Sequence, residues 1–494
     1  MKKAIYLLPL LALIGCKSPD PNPSTSTPTV SEEIPGEGYT PDFNAEFVPS
    51  YSYAILPYSG EVAADAPQYP AMDDGLNPQL TVWKYLVEVT FNGDEAPQVK
   101  VPTGCPATVK TENGNVDIDL GDTDYIKLVV GGESEAGSLR VAGNKRHLIQ
   151  LNNLTLRSAD RPAINDQNGK RLFLDLVGQN VLSDGAAYVS APVGEDRKGA
   201  FFSEGNTVIC GDGSLEVTGN YSHGFATDGF LYVNPGATLV VNDAVRNAIH
   251  VKGSASEANS FRGVEIVGGY VYANTSSPRG KALKSDSNIQ IRGGSVSLNC
   301  SGNAAIDPTD GSLSSPACIK SDLTVRISGG SVNLTATGDG AKGIKANGAV
   351  ELNGGDLHIA LSGNAITGGG DSATPKGIKA DGNLMINGGG NYVSARGAGS
   401  IGIESGYGMV IDGGVTYTFG SNMGILFGST GAYCSGVVLA GGESNSDFNS
   451  AYTMSLTNVQ SQTISKIMSE DGKELIGSFR WPVAMKSASL TILK

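Results

Sequence analysis

An all-β solenoid, a parallel β-helix with three short strands per coil and β caps at its ends, is the fold predicted for this 494-residue sequence by three observations. The first is a tetrad that recurs eight times between Lys198 and Ile425, most clearly as Lys281-Ala-Leu-Lys284, Ala317-Cys-Ile-Lys320, Lys342-Gly-Ile-Lys345 and Lys376-Gly-Ile-Lys379. The second is a Gly-Gly that begins 12 positions after the first residue of a copy, at 293, 329, 354, 388 and 413. The third is an apolar period of two: Ile344, Val350, Leu352, Leu357 and Ile359 in one copy, and Ile378, Leu384, Ile386 and Val393 in the next. A fixed period means stacked units that bury an apolar face only against one another. Alternation in such short runs, broken by Asn-Gly, Asp-Gly and Gly-Gly, reads as strands joined by tight turns.

Further anchors at Lys198, His223, Asn247 and Ile401 set a period of 24 to 25 residues, lengthened to 34 to 36 where a loop is inserted. With about 4.8 Å between strands, eight coils make a rod about 40 Å long. A lone coil buries too little to fold, so neighbouring coils and covered ends are required.

The elements follow in order. Residues 1–16 contain Lys2, Lys3, an apolar run from Ala4 to Ile14 and then Leu13-Ile-Gly-Cys16, and resemble bacterial lipoprotein signals ending in a lipobox. Cys16 is the expected lipidation site; the apolar run, interrupted by Pro9, is too short to span a bilayer. Acyl chains on Cys16 would anchor the chain in the cell envelope after export across the inner membrane. Lys17, where some inner-membrane lipoproteins carry Asp, favours the outer membrane, with surface exposure open. Residues 17–46, rich in Pro, Ser, Thr and acidic groups, read as a disordered tether. Residues 47–100, with Tyr51, Tyr53, Tyr58 and Trp83, read as an N-terminal β region or cap. The β-helix is expected over 101–425 and a C-terminal β cap over 426–494, where the repeat fades.

Composition narrows the function. Gly makes up 67 residues, which suits many turns, and the net charge of -14 argues against nucleic acid. Cys105, Cys210, Cys300, Cys318 and Cys434 show no CxxC spacing and there are four His, so zinc is not expected. Cys300 and Cys318 flank an inserted loop and either bridge or fill small apolar positions.

Equivalent positions of stacked coils form columns. His250, Lys284, Lys320, Lys345 and Lys379 share one; Asp228, Asp286, Asp322, Asn347 and Asp381 stand two residues further on. Both are expected to point outward. One reading is a solvated ion-pair ladder whose Asp residues also shape turns. The other is that Asp228, Asp286, Asp322 and Asp381, with Asp307, Asp310 and Asp371 of the inserted loops and Asp339, supply oxygen ligands to calcium. No segment matches an EF-hand loop. A third column, three residues after each Gly-Gly, contains Tyr272, Ser297, Asn333, His358, Tyr392 and Tyr417. Flat rings and hydrogen-bonding groups in line suit an extended sugar chain, although Tyr also favours strands in general.

The run Lys376-Gly-Ile-Lys-Ala-Asp-Gly-Asn-Leu-Met-Ile-Asn-Gly-Gly389, with Gly219-Asn-Tyr-Ser-His-Gly224 and Asn152-Asn-Leu-Thr-Leu156, resembles the carbohydrate-binding β-helix lipoproteins of bacteria. That family resembles pectate lyases in fold and binds plant cell-wall polysaccharide and calcium. The similarity, over roughly 78–425, implies a right-handed three-faced β-helix, polysaccharide binding by the solenoid and bound calcium. Asn347, Lys252 and Gly406 depart from the Asp column, and their coils are expected to lack metal.

Three functions compete. The leading one is an envelope-anchored module that binds acidic or plant cell-wall polysaccharide with calcium assistance. Lys284, Lys320, Lys345 and Lys379 would meet uronate carboxylates, while Tyr272, His358, Tyr392 and Tyr417 stack on sugar rings. The second is a calcium-dependent, pectate-type polysaccharide lyase in which Lys345, Lys379 or Arg396 removes the proton. Even repetition of the basic residues favours binding over catalysis, and no catalytic residue is assigned. The third is a structural or adhesive surface protein. Ser-His-Asp triads and phosphate loops find no support.

Overall fold

The structure, a computed structural model, describes residues 29–33, 76, 78, 81–253, 263–448, 451–468 and 475–493. The signal over 1–16, Cys16 and most of the tether lie outside the described residues. Within the stretch read as disordered tether, Thr29–Glu33 is a strand paired antiparallel with Ile464–Met468. Adding a strand to a sheet edge needs only backbone donors and acceptors, which composition does not reveal.

The described chain is all β and contains no α-helix. Its strands stack in parallel ladders. In one repeat Lys342–Ala346, Val350–Leu352 and Asp356–Leu361 pair in parallel with Ala317–Ser321, Val325–Ile327 and Ser331–Ala336 of the repeat before. They pair with Lys376–Ala380, Leu384–Ile386 and Gly390–Ala395 of the repeat after. The inward residues Ile344, Val350, Leu352, Leu357 and Ile359 are all buried and belong to one continuous core running from Val87 to Leu493.

Two glycine positions show why the repeat is so regular. Gly355, the second of a Gly-Gly, has φ +82°, and a Cβ there would stand 2.7 Å from the Gly330 carbonyl oxygen of the coil before. Gly343 faces inward, where a Cβ would stand 2.6 Å from Ile359 Cγ2 and 2.5 Å from the Gly377 oxygen. Neither site has room for a side chain.

The ends differ from the middle. Tyr85–Asn92 pairs in parallel with Ile126–Ser134 and antiparallel with Glu95–Lys100, so the ladder's first strand begins at Tyr85. At the other end Gly431–Gly442 still pairs in parallel with the coil before it. Met485–Leu493 then runs antiparallel against Val438–Gly442 and Tyr452–Val459. Phe479, Trp481, Leu490 and Ile492 form a second core there with Tyr417, Phe419 and Leu439. Cys300 and Cys318 are free, fully buried thiols, Cys318 Sγ lying 3.3 Å from the Thr335 oxygen.

Candidate binding face

Register places His250, Lys284, Lys320, Lys345 and Lys379 side by side on successive strands. The column continues to Glu404 in one direction and through Ala226, Phe202 and Asn165 to Arg140 in the other. Strand alternation turns these side chains outward while Ile319, Ile344 and Ile378 turn inward.

Most of the lysines are neutralised by their own coil. Lys284 Nζ lies 2.5 Å from Asp286 Oδ1, Lys320 Nζ 2.6 Å from Asp322 Oδ1 and Lys379 Nζ 3.0 Å from Asp381 Oδ1. Lys320 is only 8% exposed, less open than the expected outward column. Lys345 breaks the pattern because Asn347 stands where the others have Asp. Among the described residues Lys345 makes no ion pair, and its ammonium is held below the usual lysine range. Burial is the main cause, followed by repulsion from Lys379 and Lys320, with Asp381 and Asp322 opposing.

The first residue of the tetrad adds a second basic row that the site reading passed over, although Lys281, Lys342 and Lys376 recur in plain sight. Lys376 pairs with Glu404. Lys342 is buried and donates to the Thr374 oxygen at 2.6 Å, the Gly340 oxygen at 2.7 Å and Ser315 Oγ at 3.1 Å. Burial, then repulsion from Lys376, Lys345 and Lys379, pushes its pKa down to about 7. Lys281 donates to Ser314 Oγ at 3.3 Å, and burial with the neighbouring lysines lowers it to about 8. Ser314, Ser315 and Thr374 lie in or beside two inserted hairpins, Ala305–Ile306 with Leu313–Ser314 and Ile366–Gly368 with Asp371–Ala373, which thereby adjoin the basic row. Seven ammonium groups (Lys281, Lys284, Lys320, Lys342, Lys345, Lys376, Lys379) thus share four carboxylates (Asp286, Asp322, Asp381, Glu404). Lys281, Lys342 and Lys345 have no carboxylate partner among the described residues, and because Lys342 spends its three hydrogens on internal acceptors, Lys281 and Lys345 are the two left to face outward. A carboxylate or sulfate presented from outside is the chemistry this arrangement accepts.

The predicted calcium ligands are dispersed. Asp286 is held well below the usual carboxylate range because, against burial, hydrogen bonds from His250 and Lys284 prevail. Asp307 pairs with Arg279 at 2.8 Å, and Asp310 accepts from the Ser312 backbone N–H at 2.9 Å. Asp339 accepts from the Asn364 N–H at 2.7 Å, and Asp371 from the Leu313 N–H at 3.5 Å. Of the eight, only Asp228 joins a close acidic group among the described residues, with Asp196 and Glu204. Lys198 and Lys252 approach Asp228 there at 2.7 and 2.9 Å. The Asp column therefore does not fit a shared calcium: its carboxylates already face ammonium groups.

The aromatic column is in register but is not an open strip. Tyr272 pairs across to Ser297, Asn333, His358, Tyr392 and Tyr417 in turn, and the rings of His358, Tyr392 and Tyr417 stack at 4.8 and 5.7 Å. Tyr272 is 3% exposed and Tyr417 9%. The C-terminal core packs on Tyr417 and Tyr392, and the Tyr272 hydroxyl accepts from Asn299 at 3.1 Å. His358 is half-buried and its pKa is lowered by that burial. Tyr272 and Tyr417, expected as sugar platforms, are instead buried, Tyr417 within the C-terminal core.

A family model described as carbohydrate-binding domain-containing protein matches residues 112–256 and again 252–368, together 257 of the 494 residues. Among solved structures, the polysaccharide lyase-like protein from C. thermocellum, as a gadolinium derivative, is similar at 16% identity. The match covers 56% of this chain and 92% of that one, with a TM-score of 0.36. No curated protein matches the sequence.

Proposed function

From the premise that this chain belongs to the family of carbohydrate-binding domain-containing proteins, we propose that it binds an acidic polysaccharide along the lysine face. The observation that carries the choice of an acidic glycan is Lys345, a half-buried ammonium that makes no ion pair among the described residues, set between Lys320 and Lys379. In this reading the stacked ladders are the faces of a right-handed β-helix with three strands per coil. The polymer runs along the stack, and one uronate carboxylate meets Lys345 while the inserted hairpins bound its path. Lipidation at Cys16 tethers the module to the envelope, with the outer membrane as its place. No step of this reading runs through calcium.

The crowding of Lys345 between Lys320 and Lys379, with no ion pair of its own among the described residues, favours a second reading, in which a lysine of this row abstracts the proton beside a uronate carboxylate and the protein is a lyase. One assay separates the two. The mature protein is incubated with polygalacturonate or a neutral glucan, and both retention and ultraviolet absorbance of unsaturated products are read. Retention on polygalacturonate without products supports the binding module. Product release supports the lyase, and retention on neither removes the lysine face as a glycan site.

A further inference from the structure

We infer a second carbohydrate site, on a different ladder, that takes one or two neutral sugar rings in the cavity beside Trp83. The cavity has a volume of about 690 Å³, within the range of small-molecule sites. Of the outward column Lys127, Leu148, Phe173, Val208 and Tyr232, Lys127 and Leu148 line the cavity, and Leu76, Pro78 and Pro235 add to its apolar floor. Trp83 packs its ring against Phe173, centroids 6.0 Å apart at 76°, and remains only partly buried at the cavity wall. An aromatic face beside an apolar floor is what the C–H face of a sugar ring packs on.

Polar groups line the rest. Lys127, Asp175, Asp212 and Asn234 border the cavity. Asp175 Oδ2 accepts from Gln150 at 2.6 Å, and Asn234 Nδ2 donates to the Leu76 oxygen at 3.4 Å. Lys127 and Asp212 make no ion pair among the described residues. Thr81, which also lines the cavity, is 8% exposed, and its Oγ1 has no hydrogen-bond partner. A buried hydroxyl without a partner is destabilising until something completes it, and a sugar hydroxyl both donates and accepts. One ammonium against two carboxylates disfavours an anionic sugar, the reverse of the lysine face. The inference rests on carbohydrate binding by this family but not on the lysine face, so the two readings fail separately.

The test uses the two tryptophans of the chain. Trp481 is fully buried in the C-terminal core, so ligand-dependent emission reports on Trp83. The mature protein is titrated with cellobiose, xylobiose and galactose, reading tryptophan fluorescence and heat. At least one sugar should give a saturable shift, and the heat that accompanies it should disappear in Trp83→Phe. Affinity should weaken about tenfold in Asp212→Asn and in Thr81→Val, with retention on polygalacturonate unchanged in all three variants. Asp212 is exposed, so its substitution leaves the fold intact and isolates binding. Absence of a shift with all three sugars overturns the inference. So does binding heat that survives Trp83→Phe, or an affinity indifferent to both Asp212→Asn and Thr81→Val.

Discussion

Asn347 lies two residues beyond Lys345 and gives its carboxamide to the preceding coil, accepting from Lys320 Nζ at 2.7 Å and donating to Asp322 Oδ1 at 3.2 Å. The neighbouring lysines 284, 320 and 379 each hold an Asp at that position, so one substitution within a repeat leaves one ammonium without an internal partner. A paired column contributes little to recognition because its charges already satisfy one another. An unpaired cation in a row of cations draws an anion from outside.

Polyuronate affinity should fall as pH rises. Lys281 is pushed down to about 8 and Lys345 lies below the ordinary lysine range, so both lose charge as pH rises, while a uronate carboxylate stays charged throughout. Calorimetry between about pH 6 and 9 should show a loss of roughly tenfold. A flat profile would exclude these lysines from the contact.

Lys342 also predicts how stability depends on pH. Its folded pKa of about 7 lies below the ordinary 10.5, so between those values the unfolded chain binds more protons and stability rises with pH. The burden is full below about pH 7 and relieved as pH rises. Wild type should therefore gain about 1 to 2 kcal/mol relative to Lys342→Met between pH 6 and 9. Parallel denaturation profiles for the two proteins would refute the shift.

Tyr417→Ala should cost about 3 kcal/mol of stability, as large-to-small changes in a packed core do, and leave polyuronate affinity within about twofold. A stable variant with lost binding would restore the aromatic strip.

Chelation should leave retention on polygalacturonate within about twofold, because the column carboxylates face Lys284, Lys320 and Lys379. A large chelator-sensitive loss would reinstate the calcium bridge that the resemblance implies.

The lysine column was legible in the sequence because a regular period sets register, and register sets which side chains are neighbours. It was less legible where the tetrad loses its lysines: Gly199, not Lys198, pairs with His223, and Phe202 and Arg140 occupy the same column unseen. The roles of Lys281 and Lys342 depend on hairpins whose docking has no periodic signal. Alternation identified the side of the strand on which Tyr417 lies. It carries no information about the C-terminal strands that return to cover it. Trp83 was noted as an aromatic in an end region, but only tertiary packing brings it beside Asp212 and Lys127, far away in sequence.

The most direct test is calorimetric titration of polygalacturonate into wild type and Asn347→Asp at one salt concentration and pH 6. The substitution removes no lysine and puts a carboxylate two residues beyond Lys345, between it and Lys320, where the neighbouring lysines already have theirs. Affinity is expected to fall about tenfold, the loss of one charge-assisted contact. Equal affinity in the two proteins would contradict the claim that Lys345 recognises the glycan.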